Sequence, residues 1–221
     1  MVPSDVEVVP VQRAAPLTIG CAAPLFSTRT TMGDRALAQY RGRWLVFFSH
    51  PADFTPVCTS EFIAFSKHHD RFQAIQCDLM ALSVDSLFSH VAWVRAIAKE
   101  FSVVVPFPIA EDPSMAIAAA YGMIHEAAPD SATVRATFII DPDGIIRATI
   151  WYPMTIGRSV SEILRLVEAL QLSDAEAVSI PEGWQPGGDV IDAPSLDMTG
   201  AEEPARDDAA WFYRTRKLVV S

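Results

Sequence analysis

Hydrophobic residues fall into two patterns along the chain, short and largely apolar runs and longer stretches with an apolar residue every three or four positions. The wholly apolar run at 44–48 predicts a strand buried on both faces of a sheet, and the runs at 79–84 and 134–140 predict two further strands. The longer stretches predict three helices, over 56–72, 87–101 and 160–170. The spacing in the second helix predicts a buried face formed by residues 87, 91, 94, 98 and 101.

Turn and cap residues set the order of these elements. Thr55 and Pro56 predict a helix start, because threonine favours the N-cap and proline costs no hydrogen bond at the first helical position. The turn from Asp141 to Gly144 predicts a hairpin, so that a strand over 145–151 returns antiparallel to its predecessor. A short strand at 107–109 and an alanine-rich helix at 113–121 complete the order. Parallel strands joined by helices and followed by a hairpin predict an α/β fold with a mixed sheet.

Both ends of the chain differ in composition from this central unit. Residues 1–15 are polar and rich in proline, which predicts a loose arm before a domain over 16–172. Residues 173–221 are rich in proline, glycine and acidic residues, which predicts an extension with little regular structure. Its aromatic run at 211–218 predicts a strand-like segment that packs on its own domain or on a partner subunit. We therefore expect one domain and an extension, with the arm 181–218 reaching a neighbouring subunit.

Composition and charge exclude several classes of partner. The chain has 221 residues, half of them hydrophobic, and a formal net charge of −10. Such an acidic chain is not expected to bind nucleic acid or an anionic membrane, and its apolar runs are too short to span a bilayer. Its first residues lack the pattern of a secretory signal, and three cysteines are too few for a disulfide framework. We expect a cytoplasmic protein without metal or cofactor.

Cys58 is the candidate for chemistry. The predicted helix places it in the first turn, where free backbone N–H groups and the helix dipole favour a thiolate. The thiolate is the nucleophilic form of cysteine. Spacing alone also fits the simpler interpretation of a small buried hydrophobic residue.

The residues around Cys58 resemble a known family. The stretch from Pro51 through Thr55 to Cys58 matches the Pro-x-x-x-Thr/Ser-x-x-Cys signature of the peroxiredoxins. The longer stretch 49–61 resembles their one-cysteine class, as do the opening at 20–26 and the Trp-x-Pro-Gly-x-x-Val pattern beginning at Trp184. The resemblance covers residues 16–218. It implies a thioredoxin-like fold with a carboxy-terminal extension and a thiol peroxidase activity.

The resemblance also implies roles for individual residues. Cys58 attacks the peroxide and becomes a sulfenic acid. The Thr55 hydroxyl hydrogen-bonds the peroxide, Pro51 shields the thiolate from water, and Arg135 pairs with the thiolate and holds the substrate.

Three further residues support this set. Arg158 resembles a second family arginine, and Glu61 orients one of the two arginines. His50 matches the class too, with a packed structural role and a proton-donating role both open.

Regeneration of Cys58 is expected to need an external thiol. Many peroxiredoxins carry a resolving cysteine in the carboxy-terminal segment, whereas no cysteine follows Cys77 here. Cys21 and Cys77 match no resolving position and are expected in the inert core. The reductant is then a small thiol or a thioredoxin-type protein, and the class implies a homodimer or a ring of dimers.

Other activities fit the sequence less well. Some animal members of the class show phospholipase A2 activity through an upstream serine and histidine; Arg43 and Leu37 occupy those positions here, so this activity is not expected. A ring-forming holdase chaperone of the same fold and an inert thioredoxin-like interaction domain are the alternatives. A two-cysteine oxidoreductase is disfavoured because no Cys-x-x-Cys is present.

Overall fold

A five-stranded mixed sheet forms the centre of the structure, a computed structural model that describes residues 17–124, 131–192 and 213–218. Its elements follow in the order β1 (Ser27–Thr28), β2 (Arg35–Ala36), a 3-10 helix (Leu37–Tyr40), β3 (Trp44–Ser49), α1 (Pro56–Ala74), β4 (Cys77–Ser83), α2 (Leu87–Phe101), β5 (Ile109–Glu111), α3 (Ala116–Ala120), β6 (Arg135–Ile140), β7 (Ile146–Tyr152), α4 (Val160–Glu176), β8 (Val190–Ile191) and β9 (Thr215–Arg216).

The strand order confirms the predicted mixed sheet. The strands lie side by side as β5-β4-β3-β6-β7. The helices α1 and α2 are the crossovers that make β3, β4 and β5 parallel, while β6 and β7 form the antiparallel hairpin. The two faces of β3 are both covered, because all six of its residues are buried.

Helices cover the sheet on both sides. One face packs against α1, α2 and α4 through a cluster that includes Phe48, Phe62 and Trp93. The other face packs against α3 and the segment before β1, around Phe47 and Tyr121. The sheet is therefore the middle layer of three, and the loop from β3 to α1 emerges at the carboxyl end of its central strand.

Three helix predictions are wrong in detail. The buried face of α2 consists of His90, Trp93 and Ile97, whereas Phe101 is 53% exposed. The buried face of α2 is therefore rotated about the helix axis relative to the predicted one. The reason is that His90 occupies a core position, where Asp53 is its buried hydrogen-bond partner. The alanine-rich helix begins only at Ala116, after a residue in left-handed conformation. The last helix runs on to Glu176, since no proline or glycine interrupts 171–176.

The fifth strand is shifted relative to its prediction at 107–109. It spans Ile109–Glu111, with Phe107 buried just before it. Pro106 and Pro108 have no N–H to donate to a ladder, so regular pairing starts after them.

Part of the extension packs on its own domain. Val178, Trp184 and Val190 are buried, and Arg165 of α4 donates a hydrogen bond to the Trp184 carbonyl oxygen at 3.2 Å. The strand β8 pairs with β9, which lies in the predicted aromatic run. The predicted amino-terminal arm, 1–15, and positions 193–212 lie outside the described residues. Among the described residues, no helix has the length and hydropathy to cross a membrane.

Candidate active site

The start of α1 positions Cys58 as the sequence predicts. Thr55 has extended backbone angles at the N-cap and Pro56 is the first helical residue. The Thr55 side chain does not cap the helix, however, because its hydroxyl donates to the Ala52 carbonyl oxygen at 2.9 Å. The lone pairs of this hydroxyl oxygen remain available as acceptors. Cys58 lies one turn further on, with no exposed surface.

Arg135 contacts the sulfur of Cys58 directly. Its Nη1 lies 3.4 Å from Sγ, and the same nitrogen donates to Glu61 Oε2 at 2.8 Å. Its Nε donates to the Met154 carbonyl oxygen at 2.9 Å, which fixes the plane of the guanidinium. Arg135 is the first residue of β6 and is 2% exposed, so this cation is aimed at the sulfur from the sheet.

Glu61 joins Arg135 to the second predicted arginine. Arg158 donates to Glu61 Oε1 from its backbone N–H and Nε, at 2.7 and 2.9 Å, and to Oε2 from Nη2 at 2.8 Å. Its Nη1 donates to the Ala136 carbonyl oxygen at 3.0 Å. Arg158 thus acts on the site through the carboxylate, with no hydrogen bond to the sulfur.

The cluster next to Cys58 contains three buried charged side chains, those of Glu61, Arg135 and Arg158. Burial disfavours the charged form of Glu61, but hydrogen bonds and charge from Arg158, together with the charge of Arg135, outweigh it and hold the pKa of Glu61 below its usual range. Two guanidinium groups then face one carboxylate in a buried space. The Cys58 sulfur therefore lies against a buried group in which two guanidinium groups share one carboxylate.

The loop 50–55, here called the active-site loop, covers this end of α1. Pro51, in this loop, is buried. The loop is anchored at its start, where the His50 N–H donates to the Leu82 carbonyl oxygen at 2.9 Å. Thr133 donates to the His50 carbonyl oxygen at 2.8 Å.

His50 belongs to a buried network that the sequence pattern did not predict. Its Nε2 lies 2.9 Å from Asp53 Oδ1, and His90 Nδ1 of α2 lies 2.8 Å from Asp53 Oδ2. Burial lowers the pKa of His50 despite the neighbouring carboxylate. Burial also opposes the charge of Asp53, but the hydrogen bonds from both histidines outweigh it and hold the pKa of Asp53 well below its usual range. Periodicity gave no signal for His90, because position 90 is not among the apolar positions of the face predicted for α2.

The same three side chains offer metal-ligand atoms within 4.8 Å of one another. A cation between the inner nitrogens would make His50 Nδ1 and His90 Nε2 into buried N–H donors. Neither atom has a partner among the described residues, whereas ligating histidines normally donate this second N–H to an acceptor. The geometry fits two imidazole N–H groups donating to one carboxylate better than it fits a metal.

The other two thiols are distant from this site. Cys77 begins β4 beside Trp44, at the opposite end of β3 from the active-site loop, and burial raises the pKa of its thiol. The prediction that Cys21 lies in the core is wrong. Cys21 is partly exposed in a turn, and its sulfur lies 3.3 Å from Thr18 Oγ1. Hydrogen bonds with Thr18 lower the pKa of Cys21.

The two positions aligned with the phospholipase residues serve the fold. Arg43 donates to both carboxylate oxygens of Asp78, at 2.8 and 3.1 Å. Leu37 is buried in the core. Neither side chain can act as a serine nucleophile or a histidine base.

Comparisons with known proteins point to one family. The model of the AhpC/TSA family matches residues 19–149, and that of the C-terminal domain of 1-Cys peroxiredoxin matches residues 169–203. A peroxiredoxin of Aquifex aeolicus is 50% identical over 169 residues, which cover 76% of each chain. Peroxiredoxin 2 of Thermoplasma acidophilum is 46% identical over 198 residues, 89% of this chain and 98% of the relative.

The comparison with solved structures points to the same family as the sequence relatives. A yeast mitochondrial 1-Cys peroxiredoxin superimposes with a TM-score of 0.81 at 38% identity, covering 91% of this chain and all of the other. A cysteine-to-serine mutant of peroxiredoxin 6 from Arenicola marina superimposes with a TM-score of 0.82 at 32% identity, covering 93% of this chain and all of the other.

Proposed function

Since the chain belongs to the AhpC/TSA family of peroxiredoxins and is a thiol peroxidase of their one-cysteine type, we propose that it reduces hydrogen peroxide and organic hydroperoxides through Cys58 and depends on an external thiol. The observation that carries this proposal is the contact of 3.4 Å between Arg135 and the Cys58 sulfur. It joins a nucleophile at a helix N-terminus to a cation that is fixed by the sheet.

The first half-reaction is the oxidation of Cys58. The thiolate attacks the terminal oxygen of the peroxide, an S–O bond forms, and the O–O bond breaks. The electron pair leaves on the second oxygen as hydroxide or alkoxide, which takes a proton from water. Arg135 stabilises the charge that moves from sulfur to oxygen, and the Thr55 oxygen accepts a hydrogen bond from the peroxide. Pro51 excludes water from the sulfur.

The second half-reaction returns Cys58 to the thiolate. An external thiol loses its proton and attacks the sulfenic sulfur as the thiolate. The oxygen leaves as hydroxide, which takes up that proton to become water, and a mixed disulfide remains. A second thiol then forms a disulfide with the first and frees Cys58. A solved yeast mitochondrial relative is described as resolving through glutathione/thioredoxin systems, and we infer a small thiol or a thioredoxin-type protein here. A supply of reducing thiols is typical of the cytoplasm, and the three cysteines form no disulfide with one another. We therefore infer a cytoplasmic location.

Geometry within the chain argues for this external thiol. A six-residue strand is about 20 Å long, and β3 separates Cys77 from the active-site loop. Cys21 lies at that same far end, because the Ile146 N–H donates to its carbonyl oxygen at 2.9 Å. Disulfide formation needs Cα atoms within about 7 Å. Neither thiol can reach Cys58 without loss of the sheet.

A Cys21→Ser/Cys77→Ala variant is therefore expected to retain wild-type peroxide turnover with dithiothreitol as reductant. One equivalent of peroxide should add one oxygen to the intact mass of both proteins. A disulfide from Cys58 to Cys21 or Cys77 in the wild type, formed in each cycle, would contradict the external-thiol mechanism.

We propose that the chain forms a homodimer or a ring of dimers. In the described part of the chain, β7 is an edge strand with no strand beyond it. Trp151 of this strand, and Met154 and Ile156 just after it, are each about half exposed. Exposed apolar side chains beside an open strand edge favour pairing with another chain. We assign residues 16–172 to the peroxidase domain and 173–221 to an extension that contributes to the dimer.

Light scattering at micromolar concentration is expected to give at least the mass of a dimer. Trp151→Glu should lower that mass, because it places a charge at the strand edge. The matched control is Leu25→Glu, which alters a residue exposed by 71% elsewhere and should leave the mass unchanged. A wild-type monomer would refute the assembly, and equal masses for all three proteins would refute the β7 interface.

A further inference from the structure

The closed active site poses a problem for regeneration, given the proposed function. Cys58 has no exposed surface, and Pro51 of the active-site loop is buried too. A peroxide is small enough to enter a narrow opening, but a thiol reductant must bring its own sulfur into contact with the Cys58 sulfur. The active-site loop or the first turn of α1 must therefore move aside once in every cycle.

One buried contact ties the active-site loop to α2. Asp53 lies within the loop, and its Oδ2 accepts from His90 of α2 at 2.8 Å. The other oxygen accepts from His50 at the base of the loop, at 2.9 Å. All three side chains are buried. The Asp53 N–H adds a bond to Asp85 Oδ2 at 2.8 Å, just before α2 begins.

The helix α2 also holds the first turn of α1. Trp93, one turn after His90, donates through Nε1 to Thr59 Oγ1 at 3.3 Å. Thr59 in turn donates to the Thr55 carbonyl oxygen at 2.8 Å. The active-site loop and the first turn of α1 are therefore both hydrogen-bonded to α2. The loop makes this contact through the buried carboxylate of Asp53.

The backbone of the loop is strained in the closed state. Phe54 follows Asp53 directly, has a φ of 57°, and leaves its side chain 59% exposed. A bulky residue in this left-handed region is strained and persists only when its surroundings hold it. Its own exposed side chain supplies little of that restraint. The anchors on either side must supply it, and opening the loop would release the strain.

We propose that the Asp53–His90 contact is a latch that keeps the active-site loop closed over Cys58, and that its strength sets how readily a thiol reaches the sulfenic acid. Asp53 and His90 are then positioning residues for the peroxidase reaction. In the closed state the buried carboxylate needs both histidine donors, whereas in the open state water replaces them. Loss of the His90 donor therefore destabilises the closed state and leaves the open state almost unchanged.

The test compares the two half-reactions in His90→Leu and His90→Asn. Asparagine places an amide N–H near the position of Nδ1 and retains the donor, while leucine removes it at similar volume. Oxidation is measured by mixing reduced protein with one equivalent of hydrogen peroxide. Reduction is measured by mixing the preformed sulfenic acid with dithiothreitol, and both are followed by intact mass after alkylation.

His90→Leu is expected to accelerate reduction by about tenfold or more, the effect of losing a hydrogen bond to a charged group, while oxidation slows or stays the same. Sulfinic acid formation under excess peroxide should fall, because the sulfenic acid spends less time closed. His90→Asn should resemble the wild type. The control His68→Leu removes a histidine whose ring contacts its own helix at the Ala64 carbonyl oxygen, and should change neither rate.

Asp85→Ala provides a milder variant if His90→Leu does not fold. It removes the acceptor of the Asp53 N–H from a half-buried position, and should accelerate reduction to a smaller extent. Parallel slowing of both half-reactions, or an unchanged reduction rate in a folded variant, would overturn the latch. A wild-type protein that peroxide does not oxidise at Cys58 would instead contradict the proposed function.

Discussion

Replacement of Cys58 by serine is expected to abolish peroxide turnover and to leave the fold intact. A serine hydroxyl is not ionised at neutral pH without a general base, so it cannot attack the O–O bond as the thiolate does. The group in contact with this sulfur is a donor, the Arg135 guanidinium, and the Glu61 carboxylate already accepts hydrogen bonds from both arginines. Serine is close in size to cysteine, and its oxygen can accept a hydrogen bond from Arg135.

Cys77→Ser is the matched control, because this cysteine is also fully buried but lies at the other end of β3. Its variant should lose stability, since a hydroxyl replaces a thiol in the core, yet should retain turnover. Peroxide consumption with dithiothreitol and thermal unfolding followed by circular dichroism distinguish the two effects. Residual turnover of Cys58→Ser within about tenfold of the wild type would contradict the assignment of Cys58 as the nucleophile.

Local patterns in the sequence were sufficient to predict the frame of the site. An unbroken apolar run can lie only where both faces are covered, which is the situation of β3 in the middle layer. Thr55 and Pro56 define the start of α1 through backbone preferences that need no tertiary contact. The strand–loop–helix unit around Cys58 was therefore predictable from about twenty consecutive residues.

The partners of Cys58 were not predictable from pattern in the same way. Arg135 and Arg158 are separated from Glu61 by 74 and 97 positions in the chain, and their contacts exist only once α1, β6 and the segment before α4 are packed together. Family resemblance suggested which residues take part. It gave no indication that one carboxylate binds both guanidinium groups and that only Arg135 hydrogen-bonds the sulfur.

The error in the predicted core face of α2 has a tertiary origin. Periodicity assigns the core face of α2 to its apolar residues, whereas the fold buries His90, because Asp53 of a distant loop satisfies its N–H. A polar residue with a tertiary partner is invisible to a hydrophobic pattern. The same limit hid the role of Asp53, although this residue lies within the motif around Cys58.

Replacement of Arg135 should slow the oxidation of Cys58 strongly while the site remains folded. Glu61 keeps three hydrogen bonds from Arg158 in such a variant, so its carboxylate stays paired. What is lost is the donor at 3.4 Å from the sulfur. Removal of one such donor from a reacting centre costs roughly 100- to 1,000-fold in rate, and we expect a loss of this size in the oxidation of Arg135→Ala by hydrogen peroxide.

Arg135→Lys tests whether charge alone suffices. Lysine retains the positive charge, but its ammonium group cannot reproduce the planar fork that contacts Met154, Glu61 and Cys58 together. We therefore expect most of the loss to persist in this variant. The matched control is Arg158→Lys, which alters the other buried guanidinium without removing a hydrogen bond to the sulfur. Arg158→Lys should lower the unfolding temperature more than it lowers the oxidation rate. An oxidation rate that falls equally in both lysine variants would show that the cluster acts through its overall charge, and would remove the distinct role assigned to Arg135.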